Sequence, residues 1–291
     1  MANTTALKRR IGSVKNTRQI TKAMELVAAS KMKRAQDQAI SARAFRISAT
    51  DLLRKLSTVS DVNRNRLFMA RPVKKNLLLV ITSDIGLAGA YDANVLKNLT
   101  ATAKEDVKNH IKTEVVAIGK KASQFVSRLH GVELVAHFPV FTAQPKGADI
   151  RPIVKIILDR YESGDVDQAS VIYTSFVSSI KQDVTQLQLL PTTKIDEQKG
   201  LSPLEVAIFE PNAEAIVESA ARRLIESQVW QTISESLASE HSARMLAMKN
   251  ATDNASDIID DLTLEFNTAR QAAITQEIAE IVGGAEAVKV D

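Results

Sequence analysis

The sequence predicts an α/β protein with long terminal helices. Both chain ends form an antiparallel two-helix coiled coil, and between them lies a Rossmann-like α/β domain with a mostly parallel sheet of about five strands. Three observations predict this. All seven prolines lie between Pro72 and Pro211, so residues 13–71 and 212–282 contain neither proline nor glycine, the strongest helix breakers. Short apolar runs alternate with helical stretches in the middle of the chain. The two ends carry opposite charge, with 18 Lys or Arg against 4 Asp or Glu in residues 1–75 and 6 against 14 in residues 212–291, which suits them to pair.

Along the amino-terminal stretch, Leu7, Ile11, Val14, Ala28, Met32, Ala35, Ala39, Ala42, Ala49, Leu53 and Leu56 recur on one face, with polar Arg18 and Thr21 filling the gap. The polar run from Asp61 to Arg66 predicts a break, and we place this coiled-coil helix at 1–62. The central α/β domain is expected over 73–200. Its strands are read at Asn76–Thr82, Glu114–Ile118, Val132–Phe138, Ala169–Phe176 and Thr185–Leu190, with helices at Ala93–His110, Lys120–Leu129 and Ile150–Tyr161. That alternation implies βαβ units, and the short link between the last two strands predicts an antiparallel edge hairpin.

The carboxyl-terminal helix is expected over 210–287, paired with 1–62. Its apolar positions are read as Ala247, Ala251, Ala255, Ile258, Leu262, Phe266, Ala269 and Ala273. Their steps average nearer 3.7 than 3.5, which predicts less left-handed supercoil than strict heptads give. Helices free of breakers over these stretches would run on the order of 90–105 Å. A compact globule of this chain length is about 50 Å across. Such helices need each other or a partner.

Composition excludes several classes. There is no cysteine, hence no disulfide, thiol catalysis or thiolate metal site. No apolar run approaches the roughly 20 residues that span a bilayer, and the basic start at Met1–Arg10 lacks the apolar stretch of a secretory signal. The chain reads as complete and cytosolic. Lys8, Arg9, Arg10, Lys15, Arg18, Lys22, Lys31, Lys33 and Arg34 form either a solvated face or one turned toward something acidic. A nucleic-acid backbone is the poorer match, because Phe45 is the one aromatic before residue 68 and offers no stacking platform.

Chemistry-bearing patterns are sparse. The loop from Thr82 to Tyr91 follows a strand and precedes a helix, with Gly86 and Gly89 where doubly wound folds hold phosphates, but it is neither GxGxxG nor a P-loop. The plainer reading is a tight turn whose exposed residues touch a partner. His110, His130, His137 and His241 show no metal-ligand spacing. Asp253, Asp257, Asp260 and Asp261 suit a solvated helix face. No catalytic residue, cofactor or metal ligand is assigned.

Three blocks carry a family resemblance. Arg18–Lys33 (RQITKAMELVAASKMK), Ser239–Asn254 (SEHSARMLAMKNATDN) and Ala269–Ala285 (ARQAAITQEIAEIVGGA) resemble F-type ATP synthase gamma subunits in their bacterial form, in the same order along the chain. The resemblance implies a rotor shaft inside a ring of alpha and beta subunits, with the α/β domain against the epsilon subunit and the c-ring. It would be peripheral on the cytoplasmic side of the bacterial inner membrane, with no direct membrane insertion and no nucleic acid. By position, Arg244, Arg270, Gln271 and Thr275 would meet the beta catch loop, and Ile278, Ile281 and Val282, with Ile274, the bearing. Lys22 and Met24 would face the acidic beta segment, and Phe209 and Glu210 would lie near epsilon and the c-ring. The family's loop after the first strand commonly has a basic residue and then GLCGG. Here it reads Ile85-Gly-Leu-Ala-Gly-Ala90, so the polar contact there does not carry over. The dithiol insertion of photosynthetic relatives is absent.

Overall fold

The computed structural model describes residues 2–56, 64–141, 145, 147–192 and 212–288. Along the chain run α1 (Ala2–Leu56), β1 (Lys75–Ile81), α2 (Tyr91–Lys108), β2 (Lys112–Ile118), α3 (Lys120–Val126), β3 (Val132–Phe138), α4 (Gly147–Glu162), β4 (Gln168–Phe176), β5 (Gln182–Leu190) and α5 (Ala213–Val288). Every expected strand and helix is present. α3 ends at Val126 and not at Leu129, and β5 begins at Gln182 and not at Thr185.

The sheet order is β3-β2-β1-β4-β5. β1 to β4 are parallel, and β5 pairs antiparallel with β4, as the expected edge hairpin. β1 is apolar from Leu77 to Ile81 because both faces are covered there, the usual reason for an unbroken apolar run in a parallel strand. Leu78 and Val80 pack with Val95 and Leu99 of α2. Leu77, Leu79 and Ile81 pack on the other face with Ile153 and Ile157 of α4, Leu53 of α1 and Ile225, Val229 and Ile233 of α5.

The chain divides into two units, Met1–Val27 with Met245–Asp291, and Ala28–Arg244. The division falls within α1 and α5 and not at their ends. In the second unit, α1 and α5 pack side by side. Arg43 Nη2 lies 3.0 Å from Glu235 Oε1, Arg46 Nε donates to Gln231 Oε1 at 2.7 Å, and the Phe45 and Trp230 rings meet edge-on. In α1 the residue number rises as its α5 partner's falls, so the helices are antiparallel.

Within the first unit the two chain ends also meet. Thr252 Oγ1 donates to Thr21 Oγ1 at 2.8 Å, and Leu7, Thr21, Met248, Ala255, Ile259 and Leu262 are buried. Here the structure corrects the stripe read from sequence. The inward positions of α5 are Met248, Thr252, Ala255, Ile259, Leu262, Phe266, Ala269 and Ala273, a strict heptad step. Ile258 is 45% exposed. Adjacent isoleucines made the face ambiguous by one residue. Starting the stripe at Ala247 and not at the buried Met248 stretched the apparent period to about 3.7, so the inference of a weaker left-handed supercoil does not hold.

Candidate functional site

The loop after β1 is built by carboxylates. Ser83 N–H and its hydroxyl both donate to Asp92, at 2.8 and 2.7 Å. Asp84 accepts from the backbone N–H of Lys120 at 2.9 Å and of Val140 at 3.2 Å. Leu87 and Gly89 take left-handed φ values of 65° and 57°, and Ile85 and Leu87 point outward, 68% and 60% exposed. Gly119 beside the loop is obligatory. At its φ of 93° an added Cβ would stand 2.2 Å from the Thr82 carbonyl oxygen. The Lys120 N–H at the start of α3 and the Ser83 N–H after β1, beside the place where a doubly wound fold would hold a phosphate, are therefore already taken by Asp84 and Asp92. An incoming phosphate would meet two carboxylates, so the geometry opposes the nucleotide alternative.

The second ligand position of such folds is the crevice between the strands where the order reverses, here β1 and β4. Their pairing ends at Val80 and Ile172. Beyond it α5 fills the gap. The Thr174 N–H donates to Ser236 Oγ at 3.4 Å, and the Ser239 hydroxyl donates to the Thr174 carbonyl at 3.1 Å. Two serines one turn apart thus replace a neighbouring strand. Ser236 also lies 2.7 Å from the Tyr91 hydroxyl, whose pKa burial, then Glu240, pushes well above the ordinary value. α5 is buried all round from Thr232 to Ser242, although most of those residues are polar. Small side chains let it approach closely, and their hydroxyls find partners, as buried polar groups must. Ser242 donates to the Ser179 carbonyl at 2.8 Å, and Ser175 donates to Glu235 at 3.1 Å.

Arg244 closes this region. Its Nη2 donates to the Ile85 carbonyl at 2.8 Å, and its Nη1 to Glu240 Oε1 at 2.7 Å. His241 Nδ1 lies 3.4 Å from the same Nη1. Burial first, and then the cations Arg244 and Lys31, hold the His241 pKa down to about 4. Burial raises Glu240 against the downward pull of Arg244.

Lys22, Met24, Arg270, Gln271, Thr275 and the apolar residues from Ile274 to Val282 lie in the first unit. Lys22 forms an ion pair with Glu25 at 3.0 Å, and Met24 is half-buried. Arg270, Gln271 and Thr275 are exposed on α5. Every residue from Ile274 to Gly283 is exposed. Ile274, Ile278, Ile281 and Val282 are 47%, 57%, 71% and 56% exposed, an apolar face that no described element of this unit covers. Arg244 belongs to the second unit, with the 84–89 loop. Phe209 and Glu210 lie outside the described residues. Sequence reasoning passed over Ser236 and gave Ser239, Glu240 and His241 no role of their own, though the last three stand in a family block and His241 was weighed as a metal ligand. The available sign was a helix stretch, from Ser234 to Ser242, too polar to show an apolar stripe and too free of breakers to be a loop.

Fold and surfaces together define a class: a coiled-coil protein with a Rossmann-like sheet, in which α5 occupies the place a ligand would take. The ATP synthase family description matches residues 3–288. An ATP synthase gamma chain of Acidithiobacillus ferrooxidans is 41% identical over 289 residues, covering 99% of this chain and 100% of that relative. The gamma chains of Cupriavidus metallidurans and Staphylococcus carnosus are 38% and 39% identical, over 99% and 96% of this chain and 100% and 97% of theirs. A chain of the Euglena gracilis mitochondrial ATP synthase, solved as OSCP, F1 and c-ring, superposes with a TM-score of 0.67 at 17% identity, covering 99% of this chain and 95% of that one. One from the Tetrahymena thermophila central stalk and c-ring gives 0.61 at 24%, covering 80% and 99%. At those identities the two structures show the shared fold. The chain belongs to the ATP synthase gamma-chain family, the non-catalytic rotor subunits of the central stalk.

Proposed function

We propose that this chain transmits torque between a proton-driven c-ring and a catalytic alpha/beta hexamer, and through that coupling regulates proton flow and ATPase activity. The observation that carries the reading is the bare apolar end of α5. Large apolar side chains exposed together mark a surface that is covered in use. A hydrophobic sleeve lacking directional hydrogen bonds would cover Ile274, Ile278, Ile281 and Val282 while letting them turn.

Arg270, Gln271 and Thr275, exposed one turn before and within that end, supply polar contacts suited to a catch loop on beta. Lys22 and Met24 face an acidic beta segment, and the surplus of basic residues on α1 supports that pairing. Arg244 acts in this scheme by holding the 84–89 loop in place for its own contact with beta. Phe209 and Glu210 are assigned to epsilon and the c-ring on the resemblance alone. No described helix is long and apolar enough to cross a membrane, which fits a peripheral position on the cytoplasmic side of a bacterial inner membrane.

The test is the assembled complex. Native purification recovers this chain at one copy for every three beta subunits if the reading is right. Arg270→Ala with Gln271→Ala then lowers ATP-driven rotation torque and proton coupling at least severalfold. Unchanged coupling removes these residues from the contact, and purification free of alpha and beta removes the reading itself.

A further inference from the structure

We propose that His241 and Arg244 form a proton-operated latch on the Ile85–Gly89 loop. The loop is a sprung element. Leu87 sits at a φ of 65°, a conformation that is unfavourable for a non-glycine residue and persists only where surroundings impose it. From α5 the Arg244 guanidinium reaches the Ile85 carbonyl at 2.8 Å and the Gly86 carbonyl at 3.5 Å, and from within the loop the Ser83 hydroxyl lies 2.9 Å from the same Ile85 carbonyl.

Arg244 is itself aimed by two buried side chains of α5. Glu240 and His241 are 5% and 7% exposed. A neutral His241 that carries its proton on Nε2 offers Nδ1 as an acceptor to Arg244 Nη1, 3.4 Å away. The charged and titratable groups around this pair come from every packed element: Lys31 on α1, Asp84, Tyr91 and Asp92 on the loop and the start of α2, and Glu240 and Arg244 on α5 itself. Protonation removes the Nδ1 acceptor and sets a second cation against the guanidinium, with Lys31 adding to the repulsion. Glu240 offers little relief, because burial also drives it toward its neutral form as the medium acidifies. Arg244 then gains by leaving, and the loop loses both of its anchors to α5, keeping only the local Ser83 hydroxyl beside the Ile85 carbonyl.

The latch concerns the loop's own conformation, goes beyond the rotor reading and stands or falls separately from it. Hydrogen exchange measured by mass spectrometry on the full chain tests it. The Ser83 and Tyr91 amides are hydrogen-bonded within the loop and report its opening. After correction for intrinsic exchange, protection of the peptide over 83–91 falls roughly twentyfold from pH 7 to pH 5, given a histidine free value near 6.5 and a latched value near 4. His241→Gln, which keeps an acceptor but cannot take the proton, loses most of that fall, and His241→Asn serves if the glutamine variant does not fold. Wild-type protection that stays level across this range overturns the proposal, as does a variant that reproduces the wild-type fall.

Discussion

Arg244 is the residue on which the most local order depends. Its guanidinium is shared by Glu240 and the Ile85 and Gly86 carbonyls, with His241 Nδ1 alongside, and Glu240, beneath it, is almost wholly buried. Removing one partner of a buried ion pair leaves the other charge uncompensated. Arg244→Ala is therefore expected to lower stability by about 3 kcal/mol, read from urea unfolding. Arg244→Lys should recover part of that, because it restores charge without the fork. Equal stability for wild type and the alanine variant would show that Glu240 is neutral in the folded chain. His241 adds a pH dependence of definite sign. Its folded pKa of about 4 lies below the free value of 6.5, so the unfolded chain takes the proton first. Its contribution is complete above about 6.5 and is lost as pH falls toward 4. Glu240, shifted upward, acts in the opposite sense over the acidic range, so the histidine is isolated by difference. Wild type should lose up to about 3 kcal/mol relative to His241→Gln between pH 7 and pH 4. Parallel stability curves for the two proteins would contradict this.

At the scale of elements, α5 does two unlike jobs with one helix. From Thr232 to Ser242 it is buried on every side and satisfies the sheet's frayed edge through serine hydroxyls. From Met248 to Ala273 it is a heptad helix with one buried seam. The seam makes a sharp prediction from two adjacent, chemically identical residues. Ile259→Ala empties a packed site and is expected to cost about 2–4 kcal/mol. Ile258→Ala, on an exposed position, should cost well under 1 kcal/mol (roughly the scale of surface changes). Thermal unfolding of the two variants side by side decides it, and equal losses would mean that the pairing face lies between them. The carboxylate-capped β1 loop shows a similar economy. Asp84 and Asp92 take up the backbone N–H groups of Lys120, Val140 and Ser83, and so make the place where doubly wound folds can hold a ligand a platform for Ile85 and Leu87.

For the molecule as a whole, the exposed end of α5 contributes nothing to the buried interior that the described residues show. Residues 274–283 lie outside every buried cluster. Deleting 274–291 should leave the unfolding midpoint unchanged to within about 0.5 kcal/mol. The same deletion should weaken assembly with alpha and beta subunits and reduce rotation torque in the complexes that form. A truncated chain that unfolds more easily but couples normally would reverse the assignment of that segment from partner contact to structural support.

The amino-acid sequence by itself determined the element plan. The absence of proline and glycine over 13–71 and 212–282 and the short apolar runs alternating with helical stretches are local signals, and α1, α5 and all five strands follow from them. The family was legible for the same reason, since its blocks are contiguous. Only the tertiary structure decided that Ile259 and not Ile258 faces its partner helix, that the polar stretch around Ser236 is interior, and that Arg244 is bound to a carbonyl 159 residues away. Each of these is set by a second element that arrives from far along the chain. A side chain's period along its own helix fixes which residues share a face, but the depth and chemistry of what meets that face depend on the partner.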